Sequence, residues 1–263
     1  KENTAPLYMA LNAINGVKAS LGGAYLQQII RSYNQEIRTH WMQLPRFSPE
    51  TQVAITSSNW YNPLMNYKYF MVPGILVILL TMVGTNLAAI NIVKEKEIGT
   101  IEQINVTPVK KYQFILSKLI PFWIIGLVVL SIGLGIARLA YGILPVGSYS
   151  TIYVFAALFL LAVLGLGLLI STYATNQQQA MLISFFLMMI FILLGGLYTS
   201  IDSMPEWAKW ITRFNPVSYF IEVMRLVILK GSGLSDIRHH LLVMGGFTLA
   251  FNGWAVWSYR KRN

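Results

Sequence analysis

The stretch YFMVPGILVILLTMVGTNLAAINIV, residues 69–93, carries no charged side chain and leads directly into KEKEIGTIE, residues 94–102. Roughly 20 apolar residues in a helix are enough to cross the ~30 Å hydrocarbon core of a bilayer. The segment that follows is short, charged and compatible with a helix. The sequence therefore predicts a membrane span that ends in a compact charged elbow, residues 94–110. Such an elbow is suited to being displaced by a soluble partner.

Composition also favours a membrane protein. Hydrophobic residues make up 55% of the 263 residues, charged residues make up 11%, and the mean hydropathy is +0.55. Soluble domains usually carry about 25% charged residues. The net charge of +10 is spread along the flanks of apolar runs, so nucleic-acid binding is not expected. The chain has no cysteine, which excludes disulfides and thiolate metal sites.

Four further spans follow from the same length criterion. The uncharged stretch between Leu139 and Ile201 is too long for one crossing, and it divides at the turn-forming segments 145–148 and 175–179. The sequence thus predicts an all-α polytopic membrane protein whose transmembrane domain is residues 63–263. Its spans are expected near residues 69–93, 119–141, 151–173, 180–198 and 241–259.

The positions of lysine and arginine near the span ends predict the orientation, because cytoplasmic loops are enriched in them. The turn at Pro145 carries no charge, whereas the elbow side and the C-terminus collect Lys94, Lys96, Lys110, Lys111, Lys118, Arg260, Lys261 and Arg262. The elbow and the C-terminus are therefore expected in the cytoplasm and residue 1 outside. The chain opens with Lys1, and one more helix upstream would give six spans in the whole protein.

Residues 1–62 are expected to be part of an α/β extracytoplasmic domain. Residues 7–41 are compatible with helix, as one helix or as two separated at Gly22-Gly23. Residues 52–56 alternate and favour a strand. These elements cannot form a core alone, so the rest of the domain is expected upstream of Lys1.

A second unusual region, residues 202–237, is expected to form outer re-entrant or interfacial helices. Residues 217–229 are apolar except for Glu222 and Arg225 and are too short to span. These two charged residues lie three apart on one helix face and are able to pair. A lid helix without a role in transport is an equally good interpretation.

Within the elbow, the residue types suit a short surface helix. Glu95, Glu97 and Glu102 supply charge, and Gly99 permits a bend. Thr107 and Pro108 fit a cap and the first turn of the next helix. The alternative is an ordinary solvated loop.

The substrate path is less well marked. Arg138 is suited either to attract an anionic substrate or to reach the lipid headgroups, and the second is the cheaper explanation. A stripe of small, mildly polar residues lines the first visible span, where it marks either a translocation route or close helix packing, with packing favoured. The stripe consists of Thr81, Gly84, Thr85, Ala88 and Asn91.

Several kinds of chemistry are missing from the sequence. It has no G-x-x-x-x-G-K-[ST] phosphate loop, and His40, His239 and His240 offer no metal-binding spacing with carboxylates. We expect no enzyme activity and no cofactor in this chain. An ion-coupled secondary transporter is an alternative, but the spans lack the ionisable groups it needs. A membrane-anchored scaffold is another, although it leaves the elbow unexplained.

The elbow also carries a family resemblance. Residues 95–103 (EKEIGTIEQ) and 106–108 (VTP) resemble the E-[KR]-E-x-G-T-x-E … T-P pattern of ABC-2 type transporter permeases. Residues 61–63 (YNP) and 69–74 (YFMVPG) are similar to the start of the second span in the subgroup with a large extracytoplasmic domain between its first two spans. Residues 215–216 match the family's N-P before the last helices.

This resemblance implies a type V exporter-like helical bundle in the bacterial cytoplasmic (inner) membrane. It implies an ATPase subunit that binds ATP and Mg and docks on the elbow at residues 94–108, a second permease copy (a homodimer or a paralogue), and outward transport. Membrane lipid surrounds the bundle, and a periplasmic adaptor and an outer-membrane channel are further candidate partners. Ile98 stands where many members have Arg, Lys or Gln. The implied coupling residues are Glu95, Glu97, Gly99, Thr100, Glu102, Thr107 and Pro108.

Overall fold

A computed structural model describes the larger part of the chain. It divides into two compact units, Lys1–Phe70 and Met71–Asn263. The described residues are 7–12, 16–41, 55–60, 66–100 and 111–261.

The first unit contains a strand, a helix and a second strand: β1 (Leu7–Asn12), α1 (Gly16–Trp41) and β2 (Ile55–Trp60). The strands pair in parallel, with Leu7 opposite Ile55. Parallel strands need a long crossover, and α1 lies between them in the chain. The prediction of helix from residue 7 is therefore wrong, because β1 is held by a distant partner strand that local periodicity does not reveal.

The structure also bears on two other expectations for this unit, the choice between one helix and two and the place of the strand. Gly22-Gly23 does not interrupt α1, which runs as one helix from Gly16 to Trp41. The strand expected at residues 52–56 begins at Ile55 and continues to Trp60. Residues 51–54 lie outside the described residues.

The second unit is helical in its described residues. A 3₁₀ turn at Ile201–Ser203 precedes α6, and a π-helical turn at Leu226–Lys230 continues α7. The helices are α2 (Lys68–Ile98), α3 (Lys111–Tyr141), α4 (Tyr149–Tyr173), α5 (Gln177–Leu193), α6 (Glu206–Thr212), α7 (Pro216–Arg225) and α8 (Arg238–Lys261).

Four described helices are long and apolar enough to cross a membrane, namely α2, α3, α4 and α8. The fourth expected span, near residues 180–198, corresponds to α5, which is apolar but has 17 residues and ends at Leu193. In the other direction, α2 runs past residue 93 to Ile98. Residues 94–98 are thus the last turn of α2, and the expectation that they begin a separate short helix is wrong.

Helix α4 lies at the centre of the second unit. In its most apolar window 78% of the residues are buried, against 22% in α3 and 11% in α8. Phe155 and Phe159 of α4 pack on Phe220 of α7, with ring centroids 5.3 and 4.6 Å apart. Asn252 of α8 donates a hydrogen bond from Nδ2 to the Leu161 carbonyl at 3.0 Å. A helix that is apolar on every face is expected in such a buried place.

The contact between α2 and α4 depends on glycine. A Cβ added to Gly167 would lie 2.5 Å from the Thr85 carbonyl oxygen and 2.7 Å from the Ala88 Cβ. Small residues at such positions let helix backbones approach closely in membranes. The two helices therefore meet almost backbone to backbone.

The loop between α3 and α4 is bonded to the π-helical turn that follows α7. The Val146 amide donates to the Ile228 carbonyl at 3.1 Å, and the Gly147 amide donates to the Val227 carbonyl at 3.0 Å. A π-turn shifts the register of helix hydrogen bonds. Two of its carbonyl groups here accept from the neighbouring loop.

Candidate functional site

The last turn of α2 brings three consecutive charged residues, Glu95, Lys96 and Glu97, to the end of the bundle, beyond the apolar stretch. Successive residues of an α-helix point about 100° apart. Each of the three side chains consequently contacts a different neighbouring helix.

Glu95 contacts α3. Its Oε1 lies 2.7 Å from the Lys118 Nζ, and its backbone carbonyl accepts a 3.3 Å hydrogen bond from the Thr100 hydroxyl. Hydrogen bonding from Lys118, and then from Thr100, holds the pKa of Glu95 below its usual value of 4.5. The carboxyl is therefore ionised at neutral pH, and the contact is an ion pair.

Lys96 contacts the end of α4, where its Nζ donates to the Ser171 carbonyl. The last carbonyls of a helix lack partners within the helix, and a cation there is also favoured by the helix dipole. The lysine thus donates a hydrogen bond to a carbonyl of the C-terminal turn of α4 and joins that turn to α2.

Glu97 contacts the start of α5 with both carboxylate oxygens. Its Oε1 accepts from the Gln177 backbone amide at 2.8 Å, and its Oε2 accepts from the Gln177 side-chain Nε2. Gln177 is the first residue of α5, so its amide has no partner within the helix, and negative charge is favoured at that end. The bonds from Gln177 hold the pKa of Glu97 below its usual value of 4.5.

Together these contacts define the elbow cluster, which consists of Glu95, Lys96 and Glu97 with their partners Lys118, Ser171 and Gln177.

Immediately after the cluster the chain leaves the helix at Gly99, whose φ of +81° is in the left-handed region that favours glycine. Its amide donates to the Lys96 carbonyl at 3.2 Å. Of the predicted coupling residues, Glu95, Glu97, Gly99 and Thr100 therefore lie together at this end. The other three, in residues 101–110, lie outside the described residues: Glu102, Thr107 and Pro108.

The sequence interpretation missed the partners in this cluster. Gln177 was expected only as part of a turn, and it lies 80 positions from Glu97 in the chain. The Lys118–Glu95 pair is separated by 23 positions. No local pattern connects residues so far apart. The available signal was the position of Lys96 between two glutamates at a span end.

The predicted substrate-path residues of α2 lie mostly in its contact with α4. Thr81 and Thr85 are fully buried, and a Cβ added to Gly84 would lie 2.7 Å from a methyl group of Val163. Asn91 is half-buried, and Arg138 is exposed in the last turn of α3. Helix packing is sufficient to explain the buried part of this stripe, and a substrate route along it stays a prediction.

Glu222 and Arg225, which the sequence predicts to be able to pair, have partners in other segments. Glu222 of α7 lies 3.3 Å from His240 of α8, measured from Oε2 to Nε2. Arg225 donates from Nη2 to the Gly196 carbonyl at 3.1 Å. Each member of the predicted pair therefore joins α7 to a different neighbouring segment.

Comparison with known proteins identifies the family of this chain. The family model described as ABC-2 family transporter protein matches residues 1–257. The chain belongs to the ABC-2 transporter family. It is thus a multi-pass membrane protein and the permease subunit of an ABC transporter.

Curated relatives support the same assignment. The chain is 30% identical over 259 residues to the probable multidrug ABC transporter permease YbhR of Escherichia coli, covering 98% of this chain and 69% of YbhR. It is 30% identical to YbhS of the same organism, over 70% of this chain and 49% of YbhS. It is 26% identical to the inner membrane transport permease YhhJ, over 93% of this chain and 64% of YhhJ.

Proposed function

We propose that this permease works in an ATP-driven exporter, in which a separate ATPase subunit docks on residues 94–108 and drives a substrate outward. The observation that carries the proposal is the elbow cluster. Three consecutive residues at the end of one membrane helix contact three other helices. A displacement applied there reaches most of the bundle at once.

The chemistry of the chain supports a separate source of energy. The sequence has no phosphate-binding loop, so ATP and Mg are assigned to the partner subunit. In the described residues there is also no group of three or more potential metal ligands. The proposed coupling residues are Glu95, Glu97, Gly99, Thr100, Glu102, Thr107 and Pro108.

The rest of the assembly follows from the same proposal. One elbow per chain suits half of a two-fold transporter, so we infer two permeases and two ATPase subunits. Two relatives are named probable multidrug permeases, which supports small drug-like molecules as the substrate class. A periplasmic adaptor and an outer-membrane channel would complete a tripartite exporter.

For orientation, we infer that residues 1–62 belong to an α/β extracytoplasmic domain and that the C-terminus is cytoplasmic in a bacterial inner membrane. The parallel β1–α1–β2 arrangement supports an α/β domain. Residues 1–263 contain no cysteine, so Ser57→Cys and Thr175→Cys each add one thiol to this part of the protein. An impermeant maleimide should label the first and spare the second in intact cells with a permeable outer membrane. The reverse pattern would invert the topology.

Docking is tested with the double variant Glu97→Lys/Glu102→Lys. Charge reversal at a docking surface should lower the amount of co-purified ATPase by at least roughly tenfold. Export should fall with it at matched membrane expression. Glu206→Lys is the matched control, since Glu206 is an exposed carboxylate of α6 whose described partner is Lys209 within the same helix. Wild-type co-purification and export in the double variant would contradict docking at the elbow.

A further inference from the structure

Helix α5 has polar contacts at both of its ends, and each joins it to a different part of the bundle. At its start, Gln177 is held by Glu97 of α2. Near its other end, the Phe191 carbonyl accepts a 2.7 Å hydrogen bond from the Asn215 Nδ2. Asn215 caps α7, with its Oδ1 accepting from the Val217 amide at 3.0 Å.

We propose that Glu97 is a positioning residue that transmits movement of the elbow through α5 to α7. We call the connection formed by Glu97, Gln177, Phe191 and Asn215 the α5 link. This inference rests on the proposed function, since the movement comes from the ATPase, but it gives Glu97 a role inside the permease.

The geometry at Glu97 favours an internal role. Both carboxylate oxygens are engaged by one residue, and one of the two donors is a backbone amide. A two-point contact fixes the orientation of a carboxylate as well as its position. If Glu97 served only to bind the ATPase, its oxygens would have to leave Gln177 first.

The packing of α5 allows it to move as a unit. One of its faces packs on α2 and α4, where Ala180, Ile183 and Leu187 lie against a cluster that includes Val93 and Ile170. Its opposite face is exposed, with Leu182 and Phe186 at 62% and 70% of their full exposure. In the described chain α5 is therefore attached along one side and at its ends, so that a shift at Gln177 displaces the whole helix.

The remaining contacts of the elbow cluster lead elsewhere. Glu95 reaches α3 through Lys118, and Lys96 reaches α4 through Ser171. Only the Glu97 contact, among those of the described cluster, reaches α5 and so the Asn215 cap of α7. Loss of this contact should uncouple α7 while the ATPase stays bound.

The test uses the purified complex of permease and ATPase with the variant Gln177→Pro. Proline removes both donors to Glu97, and it is well tolerated at the first position of a helix, where the amide has no partner within the helix. Gln178→Ala is the matched control, because Gln178 is the exposed neighbour. We expect Gln177→Pro to keep its ATPase and to lose roughly fivefold or more of its ATP-dependent export, within the usual range of coupling between sites.

A spectroscopic measurement separates transmission from simple stabilisation. Residues 1–263 contain no cysteine, so Phe186→Cys adds one thiol here, and it carries an environment-sensitive fluorophore on the exposed face of α5. Addition of ATP should change its emission in the otherwise unaltered complex and in Gln178→Ala. In Gln177→Pro that change should be lost while ATPase co-purification is retained.

Three outcomes would overturn the inference. Export and an ATP-dependent signal at the unaltered level in Gln177→Pro would show that the α5 link transmits nothing. Release of the ATPase by Gln177→Pro would show that the Glu97–Gln177 contact supports docking and not transmission, and it would leave the proposed function standing. Failure of the unaltered permease to bind any ATPase would remove the proposed function itself, and it is detected before any variant is made.

Discussion

The two ends of the helical bundle are held together by different chemistry. At the end that contains α7, Asn215 is 2% exposed and bonds two backbone groups, and Phe220 is fully buried against two phenylalanines of α4. At the elbow end, the Lys118 and Glu95 side chains keep 32% and 20% of their exposure, and Glu97 is exposed. The α7 end has buried neutral hydrogen bonds beside the contacts of Glu222 and Arg225, whereas the elbow cluster is held by partly or fully exposed charges.

This difference indicates which contacts of the bundle are fixed and which can be rearranged. Breaking a buried hydrogen bond leaves a group without water and costs about 1–3 kcal/mol. An exposed ion pair contributes about 0–1 kcal/mol, because water solvates both partners when they separate. The α7 end is therefore built to keep one arrangement, whereas the contacts of the elbow cluster can exchange at little cost.

The largest effect on stability is expected at Gly167, in the close contact between α2 and α4. Gly167→Val would drive a side chain into the Thr85 carbonyl and Ala88, and backbone atoms cannot move aside as side chains do. We expect a loss of about 1–3 kcal/mol or more from overpacking. Thermal unfolding in detergent measures it.

Gly135→Val is the matched control for this helix contact, since no atom lies within 4 Å of a Cβ at Gly135 in α3. If both variants unfold at the same temperature, the close approach of α2 and α4 does not stabilise the bundle. The α2–α4 contact could then not be treated as the rigid connection between the two ends that we compare.

An intermediate effect is expected at the α7 end. Asn215→Ala removes both the cap of α7 and the bond to Phe191, and should cost about 1–3 kcal/mol. Asn215→Ser keeps an acceptor for the cap and loses only the bond to Phe191, so it should cost less. Denaturation of the two purified variants measures which of them has the lower free energy of unfolding. Equal stability of Asn215→Ala and the unaltered protein would mean that this end is no more fixed than the other.

The smallest effect is expected at the elbow end and depends on pH. The pKa of Glu95 is lowered by Lys118, so the pair stabilises the folded protein fully above the usual value of 4.5 and less as pH falls through the lowered value. Lys118→Met should cost about 0–1 kcal/mol at neutral pH. The difference from the unaltered protein should vanish in acid.

Unfolding of both proteins as a function of pH measures this difference, and added salt should reduce it at neutral pH. A large, salt-independent loss in Lys118→Met would mean that the elbow end is as fixed as the α7 end. The proposed contrast would then fail.

Much of the helical fold follows from length and charge. Residues 69–93 and 151–173 lie within α2 and α4, because a long uncharged run has few alternatives to a buried or membrane helix. Strand β1 was missed because its pairing with β2 is non-local. The end of α2 was placed too early, since the helix continues through Lys94–Ile98 until Gly99 ends it.

Only the α2 residues of the elbow cluster were predicted from the sequence, and their partners on other helices were not. The sequence pointed to Glu95 and Glu97 as charges at the end of a span, but their partners come from other helices and depend on the packing of α2, α3 and α5. Glu222 illustrates the same limit. Its neighbour on the helix face was Arg225, yet it meets His240 of α8 in space.

The loop between α3 and α4 has a practical consequence for labelling this protein. Short, uncharged surface loops are common choices for inserting epitope tags or fusion partners. Here the amides of Val146 and Gly147 bond the π-helical turn after α7, and a Cβ at Gly147 would lie 2.9 Å from the Val227 carbonyl oxygen. An insertion at this loop would therefore disturb α7 as well, and a tag there would report on an altered transporter.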